Sequence, residues 1–417
     1  MIREQLKTIL RKSERVFHTD MLYLATGGFW LTAGRAVSAA SGFLIALSIA
    51  NLIPVETFGI YKYILAWLGI FSITTLLGLN TAVVRAVGQG TEGIVKVALR
   101  AKMRWGSIGT LAAFCISAYY YLQGNETLAM GMLLVGLFVP FYDTFAIYHA
   151  YLTGKRMFAY QTRNAIVTNV AVTIALISVL FLSDNVLVIL GTYLSTWTSL
   201  RAFFYFVTVR QVIPNDQTDE QTIGYGKHLS VMKGISTAAS SVGGILIFQF
   251  LGAPSLAVYA IAIAPIEQMR SLVRLAESLL LPKVSSASWA IGSPLKFLRR
   301  VSPFFIVLIC LSIVYAMVAP AFFATFFPKY IAATMLSQLY VTSLVFSGAV
   351  VLFQSILKAK GRIKELYINT LIANVLHITI VPVAIVLAGL PGIIVALIAN
   401  KVVLAFSAML LAMRNDR

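Results

Sequence analysis

Acidic residues are scarce in this 417-residue sequence: 15 Asp and Glu stand against 33 Lys and Arg, and both signs together make up only 12%. A soluble globular domain carries about 25% charged residues. Hydrophobic residues reach 59%, with a mean hydropathy of +0.86. A water-soluble fold of this size could not hide so much apolar surface, so the missing solvent is lipid. Cysteine is nearly absent too. Cys115 and Cys310 each sit inside an apolar run, which excludes a disulfide framework and predicts buried, inert thiols. The four histidines, His18, His149, His228 and His377, are scattered without metal-ligand spacing, so no metal is expected. No Gly-Lys-Ser/Thr loop is present to cradle a nucleotide phosphate. No constellation fit for catalysis stands out either. The sequence therefore predicts neither an enzyme nor a cofactor. A net charge of +18 would suggest nucleic acid on a soluble chain; here its placement points to a membrane, and no nucleic-acid partner is expected.

Apolar stretches long enough to span a bilayer recur from about residue 27 to the end. They fall at roughly 27–52, 59–88, 105–122, 128–152, 162–182, 186–208, 229–251, 256–281, 301–323, 332–357, 366–388 and 391–412. Short turns separate them, at Pro54–Glu56, Gly124–Glu126, Ser183–Asn185, Gly252–Ser255 and Gly389–Gly392. The expected fold is an all-α integral membrane protein of about twelve transmembrane helices in two six-helix bundles.

Twelve spans require loops that alternate between rich and poor in Lys and Arg. One set of loops and termini holds twenty-three, among them Lys96, Arg100, Lys102, Arg104, Lys155, Lys358 and Arg362; the other holds only Lys62 and Lys329. Both termini are therefore expected in the cytoplasm. The opening is not patterned as a cleavable signal peptide. Residues 1–20 place Leu6, Ile9 and Phe17 at helical spacing among Arg3, Lys7, Arg11 and Arg15, the pattern of an amphipathic helix on an anionic inner membrane surface. Residues 210–228, with Pro214, Asp216, Asp219 and Glu220, read as a cytoplasmic linker. It divides an N-terminal bundle, 21–209, from a C-terminal bundle, 229–417.

The halves repeat. A shift of about 198 residues brings Arg35 onto Lys233, Ser38 onto Ser236, Tyr61 onto Tyr259 and Arg85 onto Lys283. A shift of about 205 brings Asn164 onto Asn369 and Asn169 onto Asn374. Halves with even span numbers share one orientation, so their pseudo-two-fold axis runs along the membrane normal, and a cleft between bundles is the natural binding site.

Eight basic residues fall in or at the edge of spans: Arg35, Arg85, Arg201, Lys233, Arg270, Arg274, Lys283 and Lys401. A central one costs roughly 2.5–3.5 kcal/mol by insertion scales, and is tolerated only when it faces protein or water. Arg85 and Lys283 stand where they can snorkel. Glu267, Arg270, Arg274 and Glu277 recur at spacings of three, four and three, on one helix face. That face is either a structural ion-pair ladder or the polar wall of a wet cavity. Arg35, Lys233, Arg270 and Arg274 are the candidate cationic contacts to an anionic substrate. Asp143 stands three residues after Pro140 and has two open roles, pairing with a buried arginine or binding a coupling cation or proton. Gly34, Ser38 and Gly42 form a small-residue stripe for close helix contact. Asn164, Asn169, Asn369 and Asn374 are expected to hydrogen-bond between helices first and to touch substrate second.

Residues 34–89 carry an early Gly-Arg, a Pro-x-x-x-Phe-Gly-x-Tyr turn (Pro54, Phe58, Gly59, Tyr61) and Gly-Leu-Asn-Thr-Ala-Val-Val-Arg from Gly78 to Arg85. The run SLLLPKVSSA at 278–287 looks like the counterpart in the second half. This sequence resembles the Wzx-type oligosaccharide and O-antigen flippases, the polysaccharide-biosynthesis branch of the multidrug/oligosaccharidyl-lipid/polysaccharide exporter superfamily. It is short for that family. The resemblance implies translocation of a polyprenyl-pyrophosphate-linked oligosaccharide across a bacterial or archaeal cytoplasmic membrane. It implies membrane lipids and other polysaccharide-assembly proteins as partners. A cation-coupled multidrug exporter of the same superfamily is the alternative, and should prefer an acidic interior; a non-transporting scaffold of an envelope-assembly complex is another.

Overall fold

The computed structural model describes residues 21–219, 221–284 and 294–413; the amphipathic segment expected at 1–20 lies outside them. All regular structure among the described residues is helical: α1 (Met21–Leu52), α2 (Val55–Ser72), α3 (Leu79–Gly88), α4 (Ile94–Leu122), α5 (Glu126–Tyr142), α6 (Ile147–Gly154), α7 (Phe158–Leu182), α8 (Val186–Gln211), α9 (Gln221–Val284), α10 (Pro294–Phe326), α11 (Ala333–Tyr340), α12 (Ser343–Ala359) and α13 (Ile363–Met413). Nine helical stretches among the described residues are long and apolar enough to cross a membrane. Leu111, Leu122, Phe181 and Leu387 are among the many large apolar side chains on the outer surface, as lipid contact requires.

The turns follow local chemistry. Asn125 caps α5 by accepting from the Leu128 N–H at 3.0 Å, and Asn185 caps α8 through the Leu187 N–H at 2.8 Å. α13 has 51 residues and would reach about 76 Å at 1.5 Å per residue, more than twice a hydrocarbon core of about 30 Å. It breaks at Gly389, and α9 breaks at Gly252, where φ is +83°. Glycine takes that backbone without a Cβ clash. Both breaks fall at turns expected from sequence.

The span expected at 59–88 is interrupted. After α2 the chain makes a 3₁₀ turn, Ile73–Thr75, in which the Thr74 and Thr75 hydroxyls donate to the carbonyls of Phe71 and Ser72 at 2.8 and 2.7 Å. Such side chains offer the backbone an alternative to helix.

The chain forms two compact units. One holds the described residues to Ser48 together with Phe71–Gly234; the other holds Ile49–Ile70 and the described residues from Ile235 onward. Residues 49–70, grouped with the first half on sequence order, thus pack in the second unit. Gly59 is the reason at close range: a Cβ there would stand 1.9 Å from the Ala253 carbonyl oxygen. Around it Phe58 meets Tyr330 edge-on at 6.3 Å and Tyr63 stacks on Phe248 at 3.9 Å. Lys329 donates to the Asn51 carbonyl at 2.8 Å. The Pro-x-x-x-Phe-Gly-x-Tyr pattern is therefore a packing motif, with Phe58 and Tyr61 buried.

In the first unit α4 and α5 pair closely. Pro140 has no N–H for the Gly136 carbonyl, and the Thr110 hydroxyl takes that acceptor at 2.8 Å. The second unit repeats the device. Pro320 frees the Ala316 carbonyl, which accepts from Gln338 Nε2 at 2.8 Å.

The central connection is docked on the first unit. The Gly93 N–H donates to the Gln217 carbonyl at 2.9 Å, and Asn215 bonds both the Gly90 carbonyl and the Glu92 N–H. Glu92 anchors this corner, pairing with Lys155 at 2.5 Å and accepting from the Tyr151 hydroxyl at 3.0 Å. Burial alone would raise its carboxyl pKa. The hydrogen bonds from Lys155 and Tyr151, the Lys155 charge and the Asn215 contact outweigh burial and hold it below the ordinary value.

Candidate functional site

In the first unit the Gly78–Arg85 segment and four charged residues form one cluster. Lys102 on α4 is fully buried and reaches Asp143 Oδ2 at 2.9 Å and Asn80 Oδ1 at 3.0 Å. Asp143 stands where α5 ends and the chain turns through 143–146. Its other oxygen faces Arg201 on α8 at 3.7 Å. Arg201 donates to the Tyr142 carbonyl at 3.0 Å and lies 4.4 Å from the centre of the Trp197 ring, a cation–π contact. Lys233 donates to the Thr81 hydroxyl at 2.9 Å. Asn80 and Thr81, adjacent in the motif, thus each take one lysine. The cluster sets three cations against one carboxylate.

Lys102 corrects the sequence reading, which counted it among loop residues. α4 begins at Ile94 rather than near 105, so Lys102 lies two turns inside the helix. Asp143 pairs with Arg201, one of the span arginines, but its shorter contact is with Lys102.

The second unit encloses a cavity of about 500 Å³ bordered by α9, α11, α12 and α13. Arg270 and Glu267 both line it. Arg270 donates to Glu267, to the Tyr340 hydroxyl at 3.0 Å and to the Ser343 hydroxyl at 2.8 Å. The Tyr340 hydroxyl donates in turn to Glu267 at 2.9 Å. Both sequence readings of this face therefore hold for this pair: it is an ion pair and it borders a cavity. Arg270 Nε and Asn400 Oδ1 are buried and have no hydrogen-bond partner.

The remaining expected residues are spread across both units. Arg35 is exposed on α1 in the first unit. Gly34 beside it packs on Thr162: a Cβ there would meet the Thr162 methyl at 2.7 Å. Asn164 is buried with an unbonded Nδ2, and Asn169 is half-buried. Asn369 is wholly buried and bonds Gln354, Ser407 and the Leu404 carbonyl, the expected role between helices. Asn374 lines the cavity and donates to Ser236 at 2.9 Å. The side chains of Arg274, Glu277 and Lys283 lie outside the described residues. Cys115 and Cys310 are free but exposed; an apolar run meets lipid as readily as a core, so the expected burial fails.

Solved structures share this architecture at low identity. The lipid II flippase MurJ, in an inward closed conformation, superposes with a TM-score of 0.68 at 12% identity, over 93% of this chain and 87% of that one. An inward-facing multidrug resistance MATE family transporter of the MOP superfamily gives 0.62 at 12% identity, over 90% and 93%. A MOP superfamily transporter from Pyrococcus furiosus, described as having a binding pocket of reverse polarity, gives 0.60 at 12%, over 94% of each chain. These place the chain in the fold class of MurJ and the MATE transporters, as a multi-pass membrane protein. No curated protein matches the sequence. The family model for polysaccharide biosynthesis proteins matches residues 24–286, well over half of the chain, and the protein belongs to that family.

Proposed function

We propose that this protein is a flippase that carries a polyprenyl-pyrophosphate-linked oligosaccharide from the inner to the outer leaflet of the cytoplasmic membrane, for surface polysaccharide assembly. The observation that carries the reading is the surplus of positive charge held among apolar helices: Lys102, Arg201 and Lys233 against Asp143 alone. Buried cations are costly, and a pyrophosphate–sugar head group is an anion that offsets them. Guanidinium groups fit phosphate oxygens in a two-pronged fork, and ammonium groups add point charge. The polyprenyl tail stays in lipid while the head group passes. Alternate opening to the two sides then needs no bond-making step, so the protein acts as a transporter and not as an enzyme. The breaks at Gly252 and Gly389 divide two long helices, and with α4 counted the chain crosses twelve times, both termini cytoplasmic. A cation-coupled drug exporter fits less well, because Asp143 and Glu267 are already engaged by Lys102 and Arg270.

The test is leaflet translocation of a fluorescent lipid-linked glycan in proteoliposomes. Single Arg35, Arg201, Lys233, Arg270 and Arg274 to Gln variants are compared with wild type. Loss of one phosphate contact is expected to slow transport about tenfold or more, since hydrogen bonds to charged groups contribute about 1.5–3 kcal/mol each. Wild-type rates in all five variants would remove the cationic site from the mechanism.

A further inference from the structure

We propose that the cavity of the second unit is a subsite for one carboxylated sugar ring of the transported glycan; this rests on the reading above that the cargo carries a glycan. Its volume of about 500 Å³ lies within the roughly 300–1,000 Å³ of small-molecule sites. At ~30 Å³ of liquid per water it holds about seventeen waters, room for a hydrated pyranose.

The lining states what the ligand must offer. Arg270 Nε is a buried donor and Asn400 Oδ1 a buried acceptor, both without partners and both on residues that line the cavity. Each residue is more than nine-tenths buried, so protein side chains hold these atoms in place. A hydrocarbon would satisfy neither atom. A fully ionised phosphate would accept from Arg270 but has no O–H for Asn400. A sugar ring brings both kinds of group. Its carboxylate accepts from Arg270, its hydroxyls donate to Asn400, and its C–H face suits the rings of Tyr259 and Tyr340, which also line the space.

Charge selects among sugars. Arg270 and Lys401 line the cavity with a single carboxylate, Glu267, which is already bound by Arg270 and by the Tyr340 hydroxyl. An amino sugar would bring its ammonium towards two cations. A neutral sugar would use the hydrogen bonds and not the charge. A uronate uses both.

The full-length protein in lipid nanodiscs is titrated with sodium glucuronate, glucose, glucosamine and inorganic phosphate, and binding is followed by saturation-transfer NMR. Glucuronate is expected to bind at least tenfold more tightly than glucose or glucosamine and to resist competition by phosphate. Asn400→Leu should lower glucuronate affinity tenfold or more. Lys401→Gln, a milder change, should bring the preference for glucuronate over glucose towards one. Equal binding of glucuronate and glucose by wild type, full competition by phosphate, or unchanged affinity in both variants would overturn the subsite. No lipid-linked cargo enters this experiment. Glucuronate binding without translocation would sink the flippase reading alone; translocation without glucuronate binding would sink the subsite alone.

Discussion

Replacing Lys102 by methionine and Asp143 by asparagine, singly and together, measures the charge cluster of the first unit. Lys102 has no solvent exposure and Asp143 little, and their charged atoms lie 2.9 Å apart. Two unit charges near 4 Å attract by about 4 kcal/mol at an effective dielectric of about 20. Removing one member of a buried pair costs about 3–5 kcal/mol, because the other charge is left uncompensated. The two singles are not equivalent. Lys102→Met leaves Asp143 facing Arg201 at 3.7 Å, so its cost should fall near ~2–3 kcal/mol. Asp143→Asn leaves Lys102 buried without a counter-charge, with Asn80 as its other bonded partner, so about 3–5 kcal/mol is expected. The double variant removes both charges and should recover at least ~1.5 kcal/mol of the summed losses, within the range of coupled neighbours. The competing account treats the contact as an ordinary hydrogen bond between helices, which averages about 0.6 kcal/mol in a membrane protein. Reversible unfolding in mixed micelles separates the two, since ~3 kcal/mol shifts the equilibrium more than 100-fold. Single variants that each cost under ~0.5 kcal/mol, with additive effects, would refute the ion-pair argument.

Two further outcomes follow from packing and titration. Gly59→Val should destabilise the second unit by at least ~1–3 kcal/mol, the usual cost of overpacking, because its Cβ would overlap the Ala253 carbonyl; a melting temperature within error of wild type would contradict the close approach. Glu92 has its folded pKa below the usual 4.5. Its stabilising contribution is therefore full above that value and is lost as pH falls through the lower folded value. Thermal stability should drop below about pH 4.5, and Glu92→Gln should flatten that drop; an unchanged acid profile in the variant would show that the clamp to Lys155 contributes nothing.

The amino-acid sequence by itself determined the membrane class, the helical fold and the family. Hydropathy and chain length act locally, so Gly252, Gly389, Asn125 and Asn185 could be placed in turns without a partner in view. The cost of charge in lipid is also a local property, and it singled out Arg201, Lys233, Arg270 and Asp143. Only the tertiary structure decided which charges meet. Lys102 stands 41 residues from Asp143 and, beside Lys96, Arg100 and Arg104, reads as one more loop lysine; its burial depends on where α4 begins and what packs against it. Residues 49–70 follow the first half in sequence yet pack in the second unit, because the contact between Gly59 and Ala253 joins positions far apart in the chain. The cavity around Arg270 arises in the same way, from helices whose order in the sequence says nothing about the space left between them.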